Sequence, residues 1–98
     1  MKLEELKQGQ IIELRWEFWD KGNETFKPRT IHMVLVQRVG KPMESPSSGW
    51  RAKVFYDSSP KERREKEMPY DNVYYDTWLK MSMEQDKLNI LWTPENEV

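Results

Sequence analysis

The sequence predicts a mainly β protein with minor α content: a small curved antiparallel sheet or barrel of about four to five strands, with one or two short helices. Hydrophobic alternation is the first observation. In IIELRWEFWD, residues 11–20, apolar and charged residues alternate, which is the two-residue period of a half-buried strand. Turn-forming residues separate this segment from other stretches that are rich in β-branched and aromatic residues. Finally, a chain of 98 residues with five tryptophans must bury large side chains between few strands, which favours a curled sheet.

The turn after the first strand predicts a hairpin. DKGNET, residues 20–25, contains Gly22 and Asn23, which tolerate the positive φ angles of tight reversals. A second strand is expected from about Arg29 to Val39, where β-forming residues dominate. The two strands are therefore expected to pair across this turn.

Closing the hairpin at this turn also predicts its register. Residues whose numbers sum to 45 then face each other, so Ile12 meets Met33 and Glu13 meets His32. A shift by one residue would lose this match of apolar with apolar side chains. The register separates the two faces of the first strand: Ile12, Leu14, Trp16 and Phe18 point into the core, while Ile11 and Trp19 point to the other side.

Shorter elements complete the prediction. A helical turn, a loop, a third strand and a last strand are expected at residues 2–7, 40–49, 50–57 and 87–92. The third strand also alternates, with Trp50, Ala52, Val54 and Tyr56 on one side and Arg51 and Lys53 on the other.

Two segments fit more than one structure. Ser59 and the proline after it are suited to start a helix over residues 60–67, yet nothing apolar follows, so a helix and a solvated loop both remain open. The segment after Pro69 carries a helical apolar stripe, although its residue types also favour a strand. We predict a short helix there, from about Asn72 to Met81.

There are two ways of burying the tryptophans. A closed barrel would remove the sheet edges and bury Trp16, Trp50 and Trp92 together. Such a barrel resembles SH3-like barrels in the order of its elements, and the resemblance implies an architecture without implying a function. The alternative is an open sheet that is packed by the helix near Trp78.

The composition predicts a single domain, residues 1–98, in a reducing compartment. The chain is too short for two ordinary domains. It has no cysteine, and therefore neither disulfides nor thiolate chemistry. No apolar run approaches the roughly 18 residues that a membrane span needs, and the N-terminus lacks a signal-peptide pattern. We therefore expect a soluble cytoplasmic protein that does not bind a membrane.

Groups for catalysis and metal binding are scarce. His32 is the single histidine, and no serine has the sequence context of a nucleophile. We expect this histidine to pair with Glu13 across the hairpin. The carboxylates do not have metal-ligand spacing, and glycine-rich phosphate-binding motifs are absent. The sequence therefore predicts no enzyme, no metal site and no cofactor.

A basic and aromatic middle segment is the best candidate for a binding site. Residues 21–68 carry eleven positive and six negative charges, between acidic flanks in a chain of net charge −1. The candidate surface consists of seven residues on or beside the predicted strands: Trp19, Lys27, Arg29, Arg38, Trp50, Arg51 and Lys53. Phe26, Phe55 and Tyr56 lie close to them in the sequence.

This combination of residues suits two kinds of partner. Tryptophan, tyrosine and arginine dominate the energetically important positions of protein interfaces. Aromatic rings beside cations also stack nucleobases and contact phosphates. We predict a non-enzymatic protein that acts by contact with another protein, as an inhibitor or adaptor; binding of a nucleotide or of single-stranded nucleic acid is the alternative.

Overall fold

Five antiparallel strands form one sheet in the computed structural model, which describes residues 1–59 and 70–95. In chain order the elements are a 3₁₀ turn (Leu3–Glu5), β1 (Ile11–Asp20), β2 (Thr25–Val39), β3 (Gly49–Asp57), β4 (Tyr70–Tyr75), α1 (Asp76–Glu84) and β5 (Leu88–Trp92). Neighbouring strands are hydrogen-bonded in the order β4-β3-β2-β1-β5. The sheet is curled but not closed, since β4 and β5 form separate edges among the described strands.

The hairpin of β1 and β2 has the predicted register. Ile12 pairs with Met33, and Glu13 pairs with His32. This pairing confirms the prediction. The register forms because it places the apolar residues of both strands on one face, where they are buried together. β5 pairs with β1 only up to Leu14, and β3 pairs with β2 only from Ile31 onwards. The rest of the hairpin, residues 16–29, extends beyond the five-stranded part, and we call it the hairpin arm.

One face of the sheet carries the hydrophobic core, and we call it the inner face. α1 packs over it together with the 3₁₀ turn. The buried apolar residues are Leu3, Leu6, Ile12, Leu14, Ile31, Met33, Leu35, Trp50, Ala52, Val54, Tyr74, Leu79 and Leu88. Burial of a large aliphatic side chain contributes about 2 kcal/mol to folding. This cluster therefore fixes the helix to the sheet.

Trp78 attaches α1 through ring stacking. Its ring stacks against Trp16 and Tyr74, with centroid distances of 5.9 and 5.5 Å. One turn later, Ser82 accepts a hydrogen bond from Trp16 Nε1 at 3.1 Å and donates one to the Trp78 carbonyl at 2.9 Å. The chain thus adopts the open sheet packed by a helix near Trp78, and not the closed barrel.

Two predictions about the second half of the chain are corrected. The helix begins at Asp76, because the residues before it pair with β3 as strand β4; this pairing outweighs the local helical pattern. Trp92 is more than half exposed, since it lies at a sheet edge instead of inside a barrel. The predicted helix over residues 60–67 lies outside the described residues.

Two side chains also differ from the predicted alternation. Phe18 is only half-buried, because it lies on the hairpin arm beyond the core. Tyr56 points away from the inner face, because a bulge in β3 precedes it.

No helix within residues 1–59 and 70–95 is long and apolar enough to cross a membrane.

Candidate functional site

The sheet has a second face, opposite α1, over which none of the described elements packs. We call it the outer face. Ile11 and Val34 pair with each other on this face, and both are half-buried by their neighbours in the sheet. The pairing continues to Trp92 on one side and to Lys53 on the other. The outer face is therefore a continuous array of side chains across the strands.

Three bulges add side chains to the outer face. In each of them one strand has an extra residue: Val36 in β2, Phe55 in β3 and Leu91 in β5. The residues before the bulges lie on the inner face: Leu35 and Val54 are fully buried, and Ile90 is partly buried against the core. The three extra residues are 38%, 44% and 49% exposed. Every bulge thus places a large apolar side chain in contact with solvent.

A polar network lies at the middle of the outer face. Glu13 Oε2 is 2.8 Å from His32 Nε2, which confirms the predicted cross-strand pair. Glu13 Oε1 accepts a hydrogen bond from Arg15 Nε at 2.6 Å and a longer one from Asn89 Nδ2 at 3.4 Å. Burial raises the pKa of Glu13, but the hydrogen bonds from His32 and Arg15 outweigh it and hold the pKa below its ordinary value.

Two aromatic rings lie beside this network, next to His32. The Tyr56 ring lies 5.0 Å from the His32 ring, and the Phe55 ring lies 6.1 Å from it on centroid distances. Both aromatic side chains are exposed. His32 therefore lies between two exposed aromatic rings and the Glu13 carboxylate.

Two predicted cations, Arg51 and Lys53, lie on the outer face in β3. Arg51 Nη2 is 3.0 Å from Asp71 Oδ2 in the edge strand β4, and both side chains are exposed. Lys53 is exposed and forms no ion pair with the described residues. These two residues are the part of the predicted surface that the fold brings together on this face.

Arg29 and Arg38 are engaged by buried aspartates elsewhere. Arg29 donates to Asp57 through Nε at 3.1 Å and Nη2 at 2.8 Å. Burial raises the pKa of Asp57, but the Arg29 hydrogen bonds and the Ser59 N–H outweigh it and lower the pKa to about 2. Arg38 forms a two-pronged ion pair with Asp76 at the start of α1. Both arginines therefore fasten elements of the fold.

Trp50 belongs to the core. It is 5% exposed, and the guanidinium of Arg38 lies 5.7 Å from the centroid of its ring. The structure therefore places this predicted binding residue on the inner side of the sheet, and we leave it out of the candidate surface.

Trp19 and Lys27 lie on the hairpin arm, away from the other predicted residues. Trp19 packs edge to face against Phe26 at 5.1 Å, and both rings are exposed. Lys27 pairs with Asp20 at 2.8 Å. Hydrogen bonds from Lys27 and Asn23 lower the pKa of Asp20 to about 2. The seven predicted residues are thus distributed over the core, the arm and the outer face.

Sequence reasoning missed Val36, Leu91 and Trp92 as members of the outer face. In β5 the signal was the apolar triplet Ile90–Trp92, which breaks strict alternation as a bulge does.

Among residues 1–59 and 70–95 there is no group of three or more histidine and carboxylate side chains suited to hold a metal ion. Comparisons of the chain with protein-family models, curated proteins and solved structures find no match.

Proposed function

We propose that this chain is a small non-enzymatic protein that acts by contact with another protein, as an inhibitor or adaptor, and that the outer face is its contact surface. One observation carries the proposal: each of the three bulges adds an exposed apolar side chain to the same face. Removing such side chains from water on binding is favourable. Bulges are also frequent where a side chain has to be re-aimed for function.

The charges of the outer face favour a protein over a nucleic acid. Arg15 is paired with Glu13, and Arg51 is paired with Asp71. Binding of a phosphate backbone depends on several cations that are available to replace counterions. On this face Arg15 and Arg51 each have a carboxylate partner within the chain, Lys53 has none among the described residues, and exposed aromatic side chains lie beside them. This mixture of apolar and charged groups resembles the composition of protein interfaces.

A capture experiment with two variants tests the proposal. The full-length chain is immobilised and exposed to lysate of its native cell, alongside a Phe55→Thr/Trp92→Thr double variant and a Phe26→Thr control. All three substitutions replace exposed rings by a β-forming polar residue, so the fold is expected to persist, as circular dichroism would show. We expect a stoichiometric partner that is retained by the wild type and by the control but lost by the double variant.

Two results would contradict the proposal. One is the absence of any stoichiometric protein partner; the other is retention of the same partner by the double variant. Titration of tryptophan fluorescence with a mixed 12-residue oligonucleotide at low salt tests the alternative. Saturable quenching that weakens as salt is added would favour single-stranded nucleic acid instead.

A further inference from the structure

The Glu13 carboxylate, near the middle of the outer face, is nearly buried and already has three hydrogen-bond partners. Both oxygens of Glu13 are occupied, one by His32 and the other by Arg15 and Asn89. The lowered pKa of Glu13 agrees with hydrogen bonds that stabilise its ionised form. A partner that covers this region therefore finds few acceptors at its centre.

Donors remain on the same face. Lys53 has an ammonium group with three hydrogens and forms no ion pair with the described residues. Arg15 uses its Nε for Glu13, and Arg51 uses one terminal nitrogen for Asp71, so each guanidinium has further N–H groups that point to no described acceptor. The next carboxylate of β1, Glu17, lies on the hairpin arm beyond the sheet.

We propose that the partner surface is acidic as well as apolar, and that its carboxylates contact Lys53 and the remaining guanidinium N–H groups of Arg15 and Arg51. The inference rests on the protein-binding function proposed above. Covering these donors without acceptors would desolvate charged groups and leave their remaining N–H groups unpaired, which is unfavourable. Apolar side chains of the partner would contact Phe55 and Leu91, while its acidic side chains lie over β3 and the centre of the face.

Selection of random 12-residue peptides displayed on phage provides a defined probe. The immobilised full-length chain is the target, and the Phe55→Thr/Trp92→Thr variant serves for counter-selection. We expect the enriched peptides to contain more Asp and Glu than Lys and Arg, together with apolar residues. A synthetic copy of an enriched peptide should bind Lys53→Glu at least about tenfold more weakly than wild type. Lys21→Glu, with the same change of net charge on the exposed turn, should bind as wild type does.

The outcomes separate the two proposals. Enriched peptides without an acidic excess, or equal binding to Lys53→Glu and wild type, would overturn the acidic partner and leave the protein-binding function standing. Failure to enrich any peptide over the counter-selection target would count against the outer face as a contact surface, and hence against both. Affinity that falls more steeply with added salt for the wild type than for Lys53→Glu would support the proposed ion pairs.

Discussion

The carboxylate of Asp57 makes the stability of the fold sensitive to acid. Its carboxylate is 1% exposed and receives two hydrogen bonds from Arg29. The pKa of Asp57 is about 2 in the folded protein against 3.8 for a reference carboxyl. A lowered pKa contributes stability that is present above pH 4 and is lost as the pH falls toward 2. From the shift, this contribution is about 2 kcal/mol.

Replacing Asp57 by asparagine should therefore lower the free energy of unfolding at pH 7 by about 2 kcal/mol. The difference from wild type should shrink at pH 3 and below, because Asp57 of the unfolded wild type is then protonated, and folding must release that proton. Urea unfolding at the two pH values measures this. Asp71→Asn is the matched control, since its ion pair with Arg51 is exposed and worth less than about 1 kcal/mol. An equal loss at both pH values would contradict the assignment.

At the scale of elements, Gly49 controls how closely β3 and β4 approach. A Cβ atom at this position would lie 2.2 Å from the Tyr74 carbonyl oxygen. The obstacle is backbone, so it cannot move aside without breaking the strand pairing that leads into α1. Glycine is thus required here by contact with the neighbouring strand.

Gly49→Ala should accordingly lower the free energy of unfolding by more than about 2 kcal/mol. The melting temperature should fall as well. Gly22→Ala is the control, because its Cβ would meet only the Asp20 side chain at 3.4 Å. That change should stay within about 0.5 kcal/mol. Thermal unfolding followed by circular dichroism distinguishes the two; similar melting temperatures for both variants would show that β4 can shift.

At the scale of the whole molecule, protection from solvent should decrease from the sheet centre to the arm. β2 and β3 have a partner strand on each side and contain fully buried residues such as Met33 and Val54. The turn at residues 21–24 is exposed throughout. In hydrogen exchange read by mass spectrometry, we expect the slowest amides at 31–35 and 52–54 and faster exchange around the turn. Equal protection in both regions would contradict this gradient.

The hairpin of β1 and β2 was predictable from the sequence, because its two strands are close together along the chain. Alternation in β1 and the turn at Gly22 together determine the register, because a shift would exchange the two faces. The start of α1 was missed, since the pairing of Asn72 with Ala52 depends on a strand that is distant in sequence. The site was predicted only in part: Arg51 and Lys53 lie on the outer face, whereas the roles of Arg29 and Arg38 depend on aspartates 28 and 38 residues away.

The bulges also separate the outward side chains, which can be substituted, from the inner-face residues, which the core requires. On both sides of the bulge in β3, inner-face residues keep their pairing, with Met33 opposite Val54 and Ile31 opposite Asp57. The same holds for Ile12 and Ile90 beside the bulge in β5. Six outward positions flank or form the bulges: Val36, Gln37, Phe55, Tyr56, Leu91 and Trp92. A combinatorial library randomised at these six sites should therefore change the outer face while the inner-face pairing persists.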